Sequence, residues 1–259
     1  MKLIESLLKF IANTDLGILI RNALNLRPVD SKLQLDKSPL TVSDAFAWRT
    51  DNGYKTKFKY SDILSLFYKI KNSWVELHIY SKENQLLKVE KFSDLSISNE
   101  FEITSEYLNN VKDYGVFYIY HFANDKVDDE SIISNRCYLG YSKDNNLYSF
   151  VHGNTLAKYT SIYPNKKITT DIIKTSIFQN QFYRIQKFFN EFDKNELFFA
   201  NPTSKILKFN LENKKYILNP GCCMIIEINT PIITIKSNCL FLRPTIFSYK
   251  NGYLDVHHA

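Results

Sequence analysis

Residues 44–60 read DAFAWRTDNGYKTKFKY, and this stretch decides how the chain is read. Asn52-Gly53 sits between two runs rich in aromatic and β-branched residues. Asn-Gly is favoured in two-residue hairpin loops because both central positions of a type I′ turn need positive φ. The stretch therefore predicts a β-hairpin with Arg49 opposite Thr56, Trp48 opposite Lys57 and Phe46 opposite Lys59. Directly opposed residues share a face. One face then carries Phe46, Trp48 and Thr50 with Lys55, Lys57 and Lys59. The other carries Ala45, Ala47 and Arg49 with Tyr54, Thr56, Phe58 and Tyr60. The second set has the small-against-large pattern of a core face. The first sets aromatic rings among ammonium groups, a surface suited to a sugar or an anion. The competing reading is that the lysines blunt an exposed strand while their stems cover Trp48 and Phe46. A one-residue slip would exchange the faces.

Outward from this stretch, strand signals dominate. Trp74–Tyr80 alternates, with Val75, Leu77 and Ile79 on one side. Residues 85–92, 100–103 and 114–122 are further strands, as are 136–141 and 147–152. Ser61 is expected to cap a short helix to Ile70, and Thr104 a helical turn over 105–112. Residues 153–175 read as loop, and the spacing of Phe182, Ile185, Phe188 and Phe189 favours a helix over 181–190. From Glu196 onward short strands are punctuated by Gly, Pro and Asn, including an Asn251-Gly252 turn. WVELHIYSKENQLLKVEKF and ELFFANPTSKILKFNL share a strand–turn–strand pattern, compatible with a distant repeat.

Before the hairpin, Leu3, Ile4, Leu7, Leu8 and Ile11 form an apolar stripe, and Thr14 caps a second helix ending at Arg27-Pro28. The expected fold is thus mainly β: two β-sandwich-like units with an N-terminal helical segment. The segments are 1–28, helical and a candidate contact for a protein partner; 29–125, the first unit; and 131–259, the second, a sandwich or barrel. The acidic stretch NDKVDDE at 124–130 is the expected boundary.

Composition narrows the function. The chain has 259 residues, 44% hydrophobic and 15% aromatic, enough for a sizeable core, with only seven Gly and seven Pro. Its abundant Asn, Lys, Ile, Tyr and Phe fit an AT-rich, bacterial-like genome, so isolated lysines carry little weight. The net charge of +6 divides into −2 for residues 1–130 and +8 for 131–259. Basic residues there are scattered, which disfavours nucleic acid as the partner. Cys137, Cys222, Cys223 and Cys239 make no metal-binding spacing and read as reduced thiols of a cytoplasmic protein. No run approaches the ~20 apolar residues of a membrane span. There is no Walker loop, dinucleotide turn, nucleophile elbow or HExxH, so no organic cofactor is expected.

Two candidate sites follow. Trp48, Arg49, Tyr54, Lys55, Lys57 and Lys59 are the ligand-binding candidates, and the leading expectation is non-catalytic recognition of a carbohydrate or other anionic ligand. The alternative is a metal-dependent enzyme. Asp255 and His257 share a strand face, and His152 is the candidate third ligand for a divalent cation. A further alternative is a structural or assembly subunit.

Overall fold

The computed structural model describes residues 39–127, 132–134, 137–154, 156–167, 169–173, 175, 181–186, 192–230, 232–239 and 242–258, with positions 4, 11, 14, 16, 17 and 20. The first strands are β1 (Leu40–Asp44), β2 (Phe46–Arg49) and β3 (Tyr54–Ser61), followed by helix α1 (Ile63–Tyr68). Then come β4 (Trp74–Ser81), β5 (Leu86–Phe92), β6 (Ser98–Ile103), β7 (Tyr114–Phe122) and β8 (Ile132–Ser134). Next are β9 (Tyr138–Lys143), β10 (Ser149–His152), β11 (Leu156–Ser161), β12 (Thr170–Asp171) and β13 (Gln181–Gln186). The remainder are β14 (Lys194–Ala200), β15 (Leu207–Leu211), β16 (Lys214–Leu218), β17 (Cys223–Ile228), β18 (Ile232–Ser237), β19 (Thr245–Lys250) and β20 (Tyr253–His258). The protein is mainly β. From Pro39 onward α1 is the single α-helix among the described residues, and it is too short to cross a membrane.

Among the described residues the strands form five four-stranded sheets: β2-β7-β4-β5, β10-β9-β3-β6, β12-β11-β1-β8, β13-β18-β15-β16 and β17-β14-β19-β20. The pairing described is antiparallel except between β1 and β8. β4 buries every second residue, with Val75, Leu77 and Ile79 inward, as its alternation predicts. Phe46 stacks on Phe117 of the neighbouring strand, and Phe58 of another sheet packs against both. Phe198, Phe247 and Val256 from β14, β19 and β20 join this same core. A second core lies among Phe199, Leu207, Phe209, Ile233 and Ile235.

The turn at Asn52-Gly53 has the expected backbone: φ is 48° at Asn52 and 80° at Gly53, and the Tyr54 N–H bonds the Asp51 carbonyl. The strands it joins nevertheless part. β2 pairs with β7, placing Trp48 beside Gly115, while β3 pairs with β6 and β9. Arg49 and Thr56 are neighbours as expected, but the Thr56 hydroxyl replaces the backbone ladder. It accepts from the Arg49 N–H at 2.8 Å and donates to the Arg49 carbonyl at 3.0 Å. All four residues of β2 are buried, so a hairpin with one face in water would leave apolar surface exposed. Asn251-Gly252 has the same positive φ pair and does close a hairpin, with Lys250 opposite Tyr253.

Other expectations are corrected locally. Asp62, not Ser61, caps α1, its carboxylate accepting from the Ser65 N–H at 3.1 Å. Residues 156–161 are the strand β11 rather than loop, held between β12 and β1. Residues 181–186 are a strand paired with β18 rather than helix, because the aromatic and β-branched content outweighs the 3.6-residue spacing. In segment 1–28 the Gly17 N–H bonds the Thr14 hydroxyl at 3.2 Å. Apart from the six positions named above, this segment, with the two helices and the protein contact expected of it, lies outside the described residues.

Sheet pairing crosses the acidic stretch 124–130: β9 and β10 follow it yet extend the sheet of β3. A division of the chain there would separate strands that share one sheet. The suggested repeat also differs in pairing. β4 and β5 are hydrogen-bonded neighbours, whereas β14 and β15 belong to different sheets.

Candidate functional site

The outward face of the sheet β10-β9-β3-β6 is the candidate ligand surface. Along β3, Tyr54, Thr56, Phe58 and Tyr60 point inward, so Lys55, Lys57 and Lys59 point out. Register then sets Glu100, Lys59, Tyr138 and His152 in one row across the four strands. The next row is Glu102, Lys57, Gly140 and Phe150. Gly140 makes room for the aromatic ring beside it: a Cβ there would meet Phe150 Cε1 at 2.6 Å. Gly140→Ala should therefore tilt the Phe150 ring off the sheet, seen as loss of ring contacts to β9 protons in NMR spectra. Tyr138 is 59% exposed and Phe150 43%.

Charge on this face is nearly matched. Glu100 lies 3.7 Å from both Lys57 and Lys59, and Glu102 lies 3.9 Å from Lys57. The Lys57 ammonium sits 4.9 Å from the Tyr148 ring centre and Lys59 5.2 Å from that of Phe150. Tyr148 donates its hydroxyl to Glu102; burial first and this bond second hold the phenol well above its usual range. The result is a strip of three rings among paired charges.

Lys55, Lys57 and Lys59 are thus on this surface, but Trp48, Arg49 and Tyr54 are not. Trp48 is 0% exposed, with its indole N–H donating to the Tyr80 carbonyl at 2.8 Å. Both faces of β2 are covered, so the ring that was expected to stack on a ligand fills the core instead.

Arg49, 1% exposed, forms a buried ionic cluster with Tyr54. Its guanidinium grips Asp51 through two bonds of 2.9 and 2.7 Å and meets Glu196 at 2.6 Å. It lies 4.0 Å from the Tyr54 ring centre and 4.8 Å from that of Phe247. Tyr249 donates to Glu196 at 2.6 Å and also bonds the Tyr54 hydroxyl; Lys194 meets Glu196 at 3.0 Å. Burial alone would raise the Glu196 carboxyl, but Arg49, Tyr249 and Lys194 outweigh it and hold it down to about 2. Burial raises Tyr54 and Tyr249, so both stay protonated. With its charges paired and its ring faces covered, this cluster serves as a joint between β2 and the C-terminal strands β14 and β19.

The metal candidates separate. Asp255 and His257 share a face of β20, with a 3.4 Å contact between Oδ2 and Nδ1. His152 instead meets His258, its Nε2 3.1 Å from that of His258. Among the described residues no three His, Cys, Asp or Glu side chains come together as a metal cluster.

Tyr138, Tyr148, Phe150, Glu100 and Glu102 complete the outward face, and sequence reasoning missed them. The alternation of LYSFVH at 147–152 does place Tyr148, Phe150 and His152 on one side. What it lacks is the partner strand, since β9 and β10 reach β3 only across the acidic stretch. No protein-family model, curated protein or solved structure matches this chain.

Proposed function

We propose that the protein recognises a carbohydrate, without catalysis, on the outward face of β10-β9-β3-β6. The observation that carries this reading is the pair of exposed rings, Tyr138 and Phe150, held on adjacent strands beside Lys59 and Lys57. Aromatic faces accept the C–H face of a sugar ring, while ammonium and carboxylate groups bond its hydroxyls. Because Glu100 and Glu102 neutralise two of the lysines, the surface suits a neutral sugar better than an anion. Cys137, Cys222, Cys223 and Cys239 form no disulfide, which supports a reducing, cytoplasmic setting. The packing of Phe58 on Phe46 and Phe117 across two sheets supports sandwich-like units.

A glycan array tests the site. Tyr138→Ala and Phe150→Ala should each weaken binding about tenfold, the equivalent of about 1.4 kcal/mol, with melting temperatures unchanged because both rings are surface residues. Binding retained by the double variant would reject this face as the site.

A further inference from the structure

Basic residues that are scattered through the second half of the sequence gather on one sheet. The strands of β13-β18-β15-β16 contain no Asp or Glu, and among the described sheets only this one has strands free of acid. Alternation sorts its side chains. Leu207, Phe209 and Leu211 of β15 turn into the second core with Ile233 and Ile235 of β18 and Leu218 of β16. Lys208 and Asn210, Ile232, Thr234 and Lys236, and Lys215 and Ile217 therefore face outward.

Register brings the lysines together. Lys215 lies opposite Asn210, Asn210 opposite Lys236, and Ile217 opposite Lys208. At about 4.8 Å per strand, the backbone positions of Lys215 and Lys236 stand about 10 Å apart, with Lys208 about 7 Å along β15 from the Asn210 between them. Lys208 and Lys215 are exposed and meet no carboxylate among the described residues. The lysines of the ring strip differ, since Glu100 lies near both Lys57 and Lys59. The acid of the β15–β16 turn, Glu212, accepts from the Thr234 N–H at 2.7 Å. Two large aliphatic side chains flank the lysines: Ile217 is 62% exposed and Ile232 48%.

We propose that the outward face of β13-β18-β15-β16 docks on the surface of an anionic phospholipid bilayer. Lys208, Lys215 and Lys236 meet the phosphate and carboxylate groups of the lipid heads, the attraction that draws basic surfaces to acidic membranes. Ile217 and Ile232 enter the boundary between heads and acyl chains, where exposed aliphatic side chains leave water. The same two residues argue against a single-stranded nucleic acid as the partner. Surfaces for that polymer interleave amines with rings on which bases stack, and the side chains described on this face carry no ring. The face belongs to a different sheet from the ring strip, so this contact is independent of the carbohydrate reading and is measured with no sugar present.

Co-sedimentation of the full chain with vesicles tests it. Phosphatidylcholine vesicles carrying about 30% phosphatidylserine should bring the protein down, and vesicles of phosphatidylcholine alone should not. Raising sodium chloride from about 0.1 to about 1 M should release it, as the screening length falls from about 10 to about 3 Å. A lysine near such a surface changes partition about fivefold, so Lys208→Gln combined with Lys215→Gln should weaken binding by more than about tenfold. Ile217→Asn should weaken it about threefold or more. Lys71→Gln, at an exposed position after α1, should leave it unchanged. Circular dichroism melts should match the parent for every variant, which separates lost binding from lost folding. Failure to bind the phosphatidylserine vesicles overturns the proposal, as does equal binding to both kinds of vesicle or undiminished binding by the double lysine variant. So does tighter binding to a single-stranded oligonucleotide that the double variant abolishes.

Discussion

Arg49→Ala should cost about 3–5 kcal/mol of stability, because in a nearly closed space it leaves Asp51 without its cation and Glu196 with only the partly exposed Lys194. Asp51 loses both of its bonds to the guanidinium, and Glu196 loses one of its two 2.6 Å partners. The rings of Tyr54 and Phe247 also lose the cation between them. Guanidinium denaturation with a tryptophan fluorescence readout measures the loss. A change below about 1 kcal/mol would mean that the cluster behaves like an exposed pair. The partner residue makes the sign checkable by pH. The Glu196 carboxyl is held to about 2 in the folded protein against an ordinary 4.5. A depressed carboxyl stabilises the fold above its unfolded value, and that stabilisation disappears as pH falls from about 4.5 towards 2. The amount is on the order of 3 kcal/mol. Glu196→Gln should remove this part of the acid sensitivity and lower stability at neutral pH.

Trp48→Ala should cost about 3–5 kcal/mol, the range for emptying a large core site. Three features make the site unforgiving. Its ring is fully buried, its N–H satisfies the Tyr80 carbonyl, and Gly115 on the neighbouring strand leaves the space the ring occupies. A Cβ at residue 115 would lie 2.6 Å from Trp48 Nε1 and would run into the Tyr80 carbonyl oxygen. Gly115→Ala should therefore be severe too, since a backbone carbonyl cannot rotate away. Trp48→Phe keeps most of the volume and should cost less, chiefly the lost hydrogen bond, about 1–2 kcal/mol. Equal losses for the Phe and Ala variants would show that the bond, not the volume, dominates.

Period-two alternation was enough to place Val75, Leu77 and Ile79 inward on β4, and Lys55, Lys57 and Lys59 outward on β3. Positive φ at Asn52 and Gly53 was equally legible, because it is a property of those two residues. Which strands pair was not. Asn52-Gly53 and Asn251-Gly252 have nearly the same backbone, yet only the second closes a hairpin. The difference lies in what surrounds the strands: β7 offers β2 a better apolar partner than β3 does. Tertiary competition of this kind leaves no local trace. It is also why Trp48 and Arg49 moved from an expected surface to the interior. The same limit hid the ring strip. Tyr138 and Phe150 are ordinary aromatic residues until β9 sets them beside Lys59 and Lys57.

The buried joint around Arg49 has a consequence for synthesis on the ribosome. Its members are far apart in the chain: Arg49 and Glu196 by 147 residues, Tyr54 and Tyr249 by 195. Phe198, Phe247 and Val256 complete the same core from equally late positions. A nascent chain that has emerged only to residue 190 lacks Glu196, Phe247 and Tyr249, which meet Arg49 in the finished fold. Folding must therefore wait for almost the whole polypeptide, and such non-local closure is slow. Until then the edges of the early strands are open to pairing with other chains.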